Sequence, residues 1–320
     1  MRHRLLAGAL CALAACSTTT SVVSSTTTAP PTTSSAVTTT TAPPATSGPT
    51  TTANSFPVTV GSVTIPSRPS RIVSLAPTTT EMLFAIGAGP QVVAVDDQSN
   101  YPPDAPHSKL SGYQPNIEAI AAYNPDLVVV SNDLNGVVAG LKTLKIPVLV
   151  ELAASTLDDS YREIIELGDA TGNGANAADE VASMKEKIAS IVASVPSRPL
   201  HYYLELDNTY YSVTSKTFIG ALYSLIGLVN IADAADKQGS GYPQLSAEYI
   251  VHANPDVIFL ADTKCCQENA ASVAARPGWS TLSAVRDGSV VALDDDIASR
   301  WGPRTPDLLA AVATAVSKVP

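Results

Sequence analysis

Two glutamates are the residues whose type and spacing stand out first. Glu118 and Glu248 sit at matching places in two similar stretches, IEAIAAYNPDLVVV and AEYIVHANPDVIFL. Ile120, Asn124, Pro125 and Asp126 recur as Ile250, Asn254, Pro255 and Asp256, all at the offset that separates the glutamates. Each copy reads as a carboxylate, a short amphipathic helix, an Asn-Pro-Asp turn and an apolar run suited to a buried strand. A repeat this long marks a duplicated lobe rather than a solenoid unit. One exposed carboxylate per lobe is chemistry for pairing with cations on a partner. The same position, in a helix's first turn, also suits a negative charge facing the helix dipole.

Catalytic chemistry is poorly supplied. There is no Gly-rich phosphate loop, no Gly-x-Ser-x-Gly and no His-Glu-x-x-His. His107, His201 and His252 lie at no metal-ligand spacing from one another. Cys265 and Cys266 are adjacent; in an oxidising compartment they could close a vicinal disulfide, stay as two thiols, or touch a soft metal. With no nearby histidine they make a poor catalytic dyad. A secreted enzyme is therefore a remote reading. Only 5% of the chain is aromatic, yet Tyr101, Tyr113, Tyr210, Tyr211, Tyr242 and Trp301 fall in expected loops. Flat aromatics there suit a bulky planar or amphipathic ligand.

These residues need a scaffold, and the sequence supplies one. Between the two copies, residues 173–196 predict one long helix. Ala177, Val181, Met184, Ile188, Ile191, Val192 and Val195 recur at spacings of three and four, and Pro196 ends the run. Before it, residues 56–172 predict an N-terminal lobe with strands at Arg71–Leu75, Val92–Val95, Leu127–Val130 and Val148–Val150. Helices are expected after Ala76, with Thr78–Thr80 as capping residues and Glu81 near the positive end, and over Leu157–Ala170. After it, residues 197–320 predict a second lobe with strands at Tyr202–Leu206, Val257–Leu260 and Val290–Leu293. Its helices are expected at Thr217–Ile226, Ala247–Ala253 and from Pro306. Strands alternating with helices make both lobes α/β with parallel sheets.

The first 16 residues read as a signal peptide: Arg2 and Arg4, an apolar run too short to span a bilayer, then Leu13-Ala14-Ala15-Cys16. That ending resembles a bacterial lipobox, so Cys16 is expected to be lipidated and to anchor the chain to the cell membrane. Residues 17–55 are almost all Thr, Ser, Pro, Ala and Val and read as a disordered tether. The net charge of −10 and the lack of any basic run exclude nucleic acid as a partner.

The runs RIVSLAPTTTEMLFAIG, VDDQSNYPPDA, GYQPNIEAIAAYNPDLVVVS, GYPQLSAEYIVHANPDVIF and RPGWSTLSAVRDGSVVALDDDIASRWGPR resemble the substrate-binding proteins of ABC importers for cobalamin and ferric siderophores. The likeness covers roughly Arg68 to the C-terminus and is greatest to periplasmic cobalamin-binding proteins. It implies a class III fold, two α/β lobes joined by one rigid helix with the ligand cleft between them. It also implies delivery of cobalamin or a related corrinoid to a permease and its ATPase, by a monomer with no prosthetic group. Glu118 and Glu248 match the family's permease-docking glutamates. Asp296 and Arg300 match positions that touch the corrin ligand. Tyr113 and Tyr242 fall where that branch prefers tryptophan, Gln98 where it has tyrosine and Ser131 where it has tryptophan. Trp301 follows the Arg300 motif and is expected to compensate. A ferric siderophore is the alternative ligand; Arg300 and Arg304 are the cations available for it. Haem, with Tyr210 or Tyr211 as axial ligand, comes third. A surface lipoprotein that transports nothing is the remaining reading.

Overall fold

The computed structural model describes residues 55–196 and 198–320. The signal peptide, Cys16 and residues 17–54 of the tether lie outside the described residues. An antiparallel hairpin comes first, β1 (Val58–Val60) with β2 (Val63–Ile65). Lobe one continues with β3 (Ile72–Ser74), α1 (Pro77–Ala85), β4 (Val92–Val95), α2 (Ile117–Ala121), β5 (Leu127–Val130), α3 (Val137–Thr143), β6 (Val148–Val150) and α4 (Leu157–Thr171). The long helix α5 (Gly174–Ser194) follows. Lobe two runs through β7 (His201–Glu205), α6 (Phe218–Ser224), β8 (Val229–Asn230), α7 (Ala247–Ala253), β9 (Val257–Leu260), α8 (Ala270–Ala274), α9 (Ser283–Arg286), β10 (Val290–Ala292), α10 (Asp295–Ala298) and α11 (Thr305–Val316).

Both four-stranded sheets are parallel and have one topology. The orders are β4-β3-β5-β6 and β8-β7-β9-β10. In each lobe the first strand pairs with the second on one side and the third on the other, and the fourth lies beside the third. The duplication read from the sequence is therefore a duplication of fold. All four residues of β5 and all four of β9 are buried, which is why these runs are apolar without alternation.

The repeated Asn-Pro-Asp turn has a physical reason. Asn124 and Asn254 adopt left-handed backbone, with φ of 47° and 44°, a region asparagine tolerates better than other side chains with a Cβ. The aspartate two residues on then ties the strand to its neighbour. Asp126 accepts from the amides of Ser70 and Arg71 just before β3. Asp256 accepts from the amide of His201 at the start of β7.

Helix α5, about 32 Å long at 1.5 Å per residue, belongs to both cores. Its Ala177, Val181 and Met184 pack into lobe one with Ile72, Met82 and Leu167. Its Ile188, Ile191 and Val192 pack into lobe two with Leu200, Leu309 and Val312. Helix α4 begins on a capping box of Thr156 and Asp159 and ends on Gly172, whose φ is 72°. It lies so close to α5 that a Cβ on Gly168 would come within 2.4 Å of the Ala177 Cβ. The long helix is thus fixed along both halves of its length, which resists hinging between the lobes.

Helix α1 departs from expectation. Its N-cap is Ala76, with no side-chain cap, and Pro77 opens the first turn. Thr78, Thr79 and Thr80 lie inside the helix and are buried. Glu81 is buried too, with 1% of its side chain exposed, so its role is not to face the helix dipole from solvent. The short elements α3, β8, α8, α9 and α10 and the first hairpin are additions to the expected set.

Candidate functional site

Leu75, Asp96 and Ser131 are the residues that directly follow strands β3, β4 and β5, and they lie on one side of a cavity. Lobe two supplies the other side through Asp296 of α10 and through Ser299, Arg300 and Trp301 of the link between α10 and α11. The cavity encloses about 330 Å³ and opens to solvent. Carboxyl ends of parallel strands are where open α/β sheets present a crevice for ligands. Of the expected ligand residues, Gln98, Tyr113, Asp296, Arg300 and Trp301 line it, as does Ser131. Tyr242 does not; it stands 55% exposed on lobe two. Tyr113 is 74% exposed at the rim.

Arg300 is the only basic residue in this lining, and it is already paired. Nη1 donates to Glu81 Oε1 at 2.5 Å. Nη2 donates to Asn100 Oδ1 at 2.9 Å and to Asp296 Oδ1 at 3.2 Å. Arg304 grips the same glutamate, through Nε at 2.8 Å and Nη2 at 2.5 Å, and lies over the Tyr101 ring at 4.1 Å. Glu81 belongs to lobe one and both arginines to lobe two, so this buried triad ties the lobes together. Two further ties flank it. Asn100 Nδ2 donates to Asp296 Oδ2 at 3.0 Å, and Trp301 Nε1 donates to Glu163 Oε2 at 2.8 Å. Glu81 and Glu163 were not found by sequence reasoning, because their partners lie on the other lobe.

The remaining lining residues carry an acidic excess. Asp96, Asp97 and Asp296 face a cavity whose one cation is neutralised by Glu81. Burial, although Asp96 accepts a hydrogen bond from Ser99, raises the Asp96 carboxyl pKa. Asp296 goes the other way: Lys264, Asn100 and Arg300 outweigh its burial and hold it below the usual carboxylate range. Among the described residues no cluster of His, Cys, Asp and Glu is arranged to hold a metal ion.

A family model described as periplasmic binding protein matches residues 72–297. A cobalamin-binding protein of Halobacterium salinarum is 33% identical over 265 residues, 79% of this chain and 71% of the relative. The chain belongs to the periplasmic binding protein family. An ABC transporter substrate-binding lipoprotein of Bacillus subtilis is 31% identical, over 76% of this chain and 78% of that one. The crystal structure of a periplasmic vitamin B12-binding protein of Vibrio cholerae superposes with a TM-score of 0.63 at 28% identity, covering 78% of this chain and 97% of that one. The family is one of binding proteins, so its chemistry is capture rather than catalysis.

Within this binding protein, Glu118 and Glu248 occupy equivalent exposed positions in the first turns of α2 and α7. Neither caps its helix; that is done by Asn116, which accepts from the Ala119 amide, and Ser246, which accepts from the Tyr249 amide. Cys265 and Cys266 are two thiols with sulfurs 2.7 Å apart, beyond the ~2.05 Å of a disulfide bond. Tyr210 is stacked on Trp279 and lies under Arg276, which is clamped in turn by Glu205 and Glu268, so it is committed to the core of lobe two.

Three buried carboxyls set the pH response. Burial, with help from Glu166 and Glu163, raises Glu151 to about 9. Burial raises Glu163 to about 7, and burial with the neighbouring Glu205 raises Asp262 to about 7. Each group binds its proton more tightly folded than unfolded, so stability falls as pH rises. The contribution is complete below about pH 4, where the unfolded groups are also protonated, and is lost by about pH 9. The melting temperature is therefore expected to fall between pH 5 and pH 9, with a shallower fall in Glu151→Gln. Thermal melts across that range check this; a melting temperature that climbs with pH would contradict it.

Proposed function

We propose that this protein captures a bulky, uncharged, amide-rich metal cofactor, cobalamin or a related corrinoid, in the interlobe cleft. It then hands the ligand to the permease of an ABC transporter driven by its ATPase. The observation that carries the choice of ligand is the charge of the cleft. Its lining has three carboxyls and one arginine, and that arginine is bound to Glu81 and Asp296. An anionic ferric chelate, or the propionates of haem, would enter this site against the carboxyls of Asp96 and Asp97 and without a free cation. Arg304, the second cation expected for a siderophore, is held by Glu81. A neutral ligand edged with amides meets Asp97, Gln98, Asn132 and Ser131 as hydrogen-bond partners, with Trp301 and Tyr113 as flat apolar surface. The names of the Halobacterium salinarum and Vibrio cholerae relatives support the same ligand class.

Docking rests on Glu118 and Glu248, one per lobe. A helix returning to the start of the next parallel strand begins at the carboxyl end of the sheet. In our reading both glutamates face the permease that would receive the ligand. Lipidation of Cys16 holds the monomeric protein at the outer face of the cell membrane, with the tether giving it reach.

The test uses the chain's two tryptophans. Trp279 is fully buried in lobe two and Trp301 lines the cleft. In a Trp279→Phe variant, cyanocobalamin is expected to quench the remaining fluorescence saturably at one ligand per chain. Quenching by an anionic ferric siderophore and not by cyanocobalamin would move the reading to iron uptake.

A further inference from the structure

Two of the three threonines of α1, Thr79 and Thr80, are part of a buried hydroxyl chain. The Ser74 and Thr79 hydroxyl oxygens are 3.0 Å apart. Thr80 Oγ1 donates to Ser74 Oγ at 2.8 Å and lies 2.9 Å from Ser99 Oγ. Ser99 donates to Asp96 Oδ1. None of these five residues is more than 4% exposed. The chain ends on Asp96, and Asp96 is the one member that lines the cleft.

A side chain held this way has one fixed oxygen and one left for something else. The fixed oxygen is Oδ1. The other, Oδ2, lies beside Gly112, where a Cβ would sit 3.2 Å from it and 2.5 Å from the Leu75 carbonyl oxygen. The chain therefore keeps the cleft wall bare next to Oδ2. No cation of the lining compensates it, since Arg300 is turned to Glu81, Asn100 and Asp296. The carboxyl already accepts from Ser99 and from the backbone amides of Asp96 and Gln98. No side chain of the lining donates to Oδ2, so a ligand N–H is the group that can add a further bond there. Its neighbour Asp97 adds to the demand for a donor and to the penalty on an acceptor.

Resting on the proposed capture of an amide-rich corrinoid, we propose that Asp96 is a specificity-determining residue of the cleft. Its Oδ2 accepts a hydrogen bond from a ligand amide N–H and rejects a carboxylate at the same place, while the hydroxyl chain fixes its direction. An acceptor facing a second acceptor loses the bond and leaves two polar groups unpaired, which is the kind of mismatch that discriminates strongly.

The experiment compares cyanocobalamin with the isomeric monoacids made by hydrolysing one of its peripheral amides. These probes match in size and differ by a donor and a charge. The full chain is expected to prefer cyanocobalamin to at least one monoacid by tenfold or more, about 1.4 kcal/mol. In Asp96→Val, which removes the acceptor, that preference is expected to shrink to within threefold. Asp96→Ser serves the same purpose if the valine variant does not fold. A variant that weakens cyanocobalamin and every monoacid by one common factor would make Asp96 a structural residue only and overturn the proposal. So would a wild-type protein that treats all the probes alike. Wild-type protein that binds no corrinoid overturns the importer reading itself, and this one with it; that result is distinct from a change in selectivity.

Discussion

Replacing Glu81 by alanine is expected to destabilise the protein by about 3–5 kcal/mol, the range for breaking a buried ion pair by removing one partner. The carboxylate is 1% exposed and holds two guanidiniums that are themselves 8% and 16% exposed. Without it, Arg304 loses both of its carboxylate contacts and Arg300 its shortest one. The two positive groups are then left side by side in a poorly solvated place. For a chain of this size the loss corresponds to a fall of roughly 10 °C or more in melting temperature. Glu81→Gln keeps the shape and removes the charge, and its cost is expected to be smaller. Urea unfolding of both variants checks this. A loss under about 1 kcal/mol for the alanine variant would mean that α5 and the flanking ties hold the lobes without the triad.

Reversing both docking charges, Glu118→Arg with Glu248→Arg, is expected to reduce ligand uptake in cells at least tenfold while leaving ligand affinity unchanged. The two side chains are exposed, and neither lines the cleft. Their helices keep their caps through Asn116 and Ser246, so stability is expected to hold. Each single reversal is expected to give a smaller defect, because one matched contact remains. Uptake assays paired with binding measurements on the purified variants read the two effects apart. Normal uptake by the double variant would remove the docking role and favour a surface protein that transports nothing.

How much of this was legible in the sequence follows from the range of each interaction. The strands β5 and β9 announced themselves because both faces are buried and the residues are apolar throughout. Helix α5 was legible because its apolar stripe runs unbroken through two cores. The repeat was legible because its Asn-Pro-Asp turn performs one local task twice. What stayed hidden depends on partners far along the chain. Glu81 looked like a helix-dipole residue, yet it meets Arg300, 219 residues away. Thr78–Thr80 looked like caps because threonine favours that place. Pro77 takes the first turn instead, and Thr79 and Thr80 reach Ser74 and Ser99. The cleft residues from Gln98 to Trp301 came from the family resemblance, and the structure brings five of the six together while leaving Tyr242 outside the cavity.

The measurement that bears most directly on the central claim is a calorimetric titration of the full chain with cyanocobalamin, repeated with an anionic tricatecholate ferric siderophore. One-to-one binding of cyanocobalamin at micromolar protein is expected, with no heat from the siderophore. Trp301→Ala with Asp296→Ala should weaken the corrinoid at least tenfold, about 1.4 kcal/mol. Binding of the siderophore with silence toward cyanocobalamin would contradict the charge argument on which the choice of ligand rests.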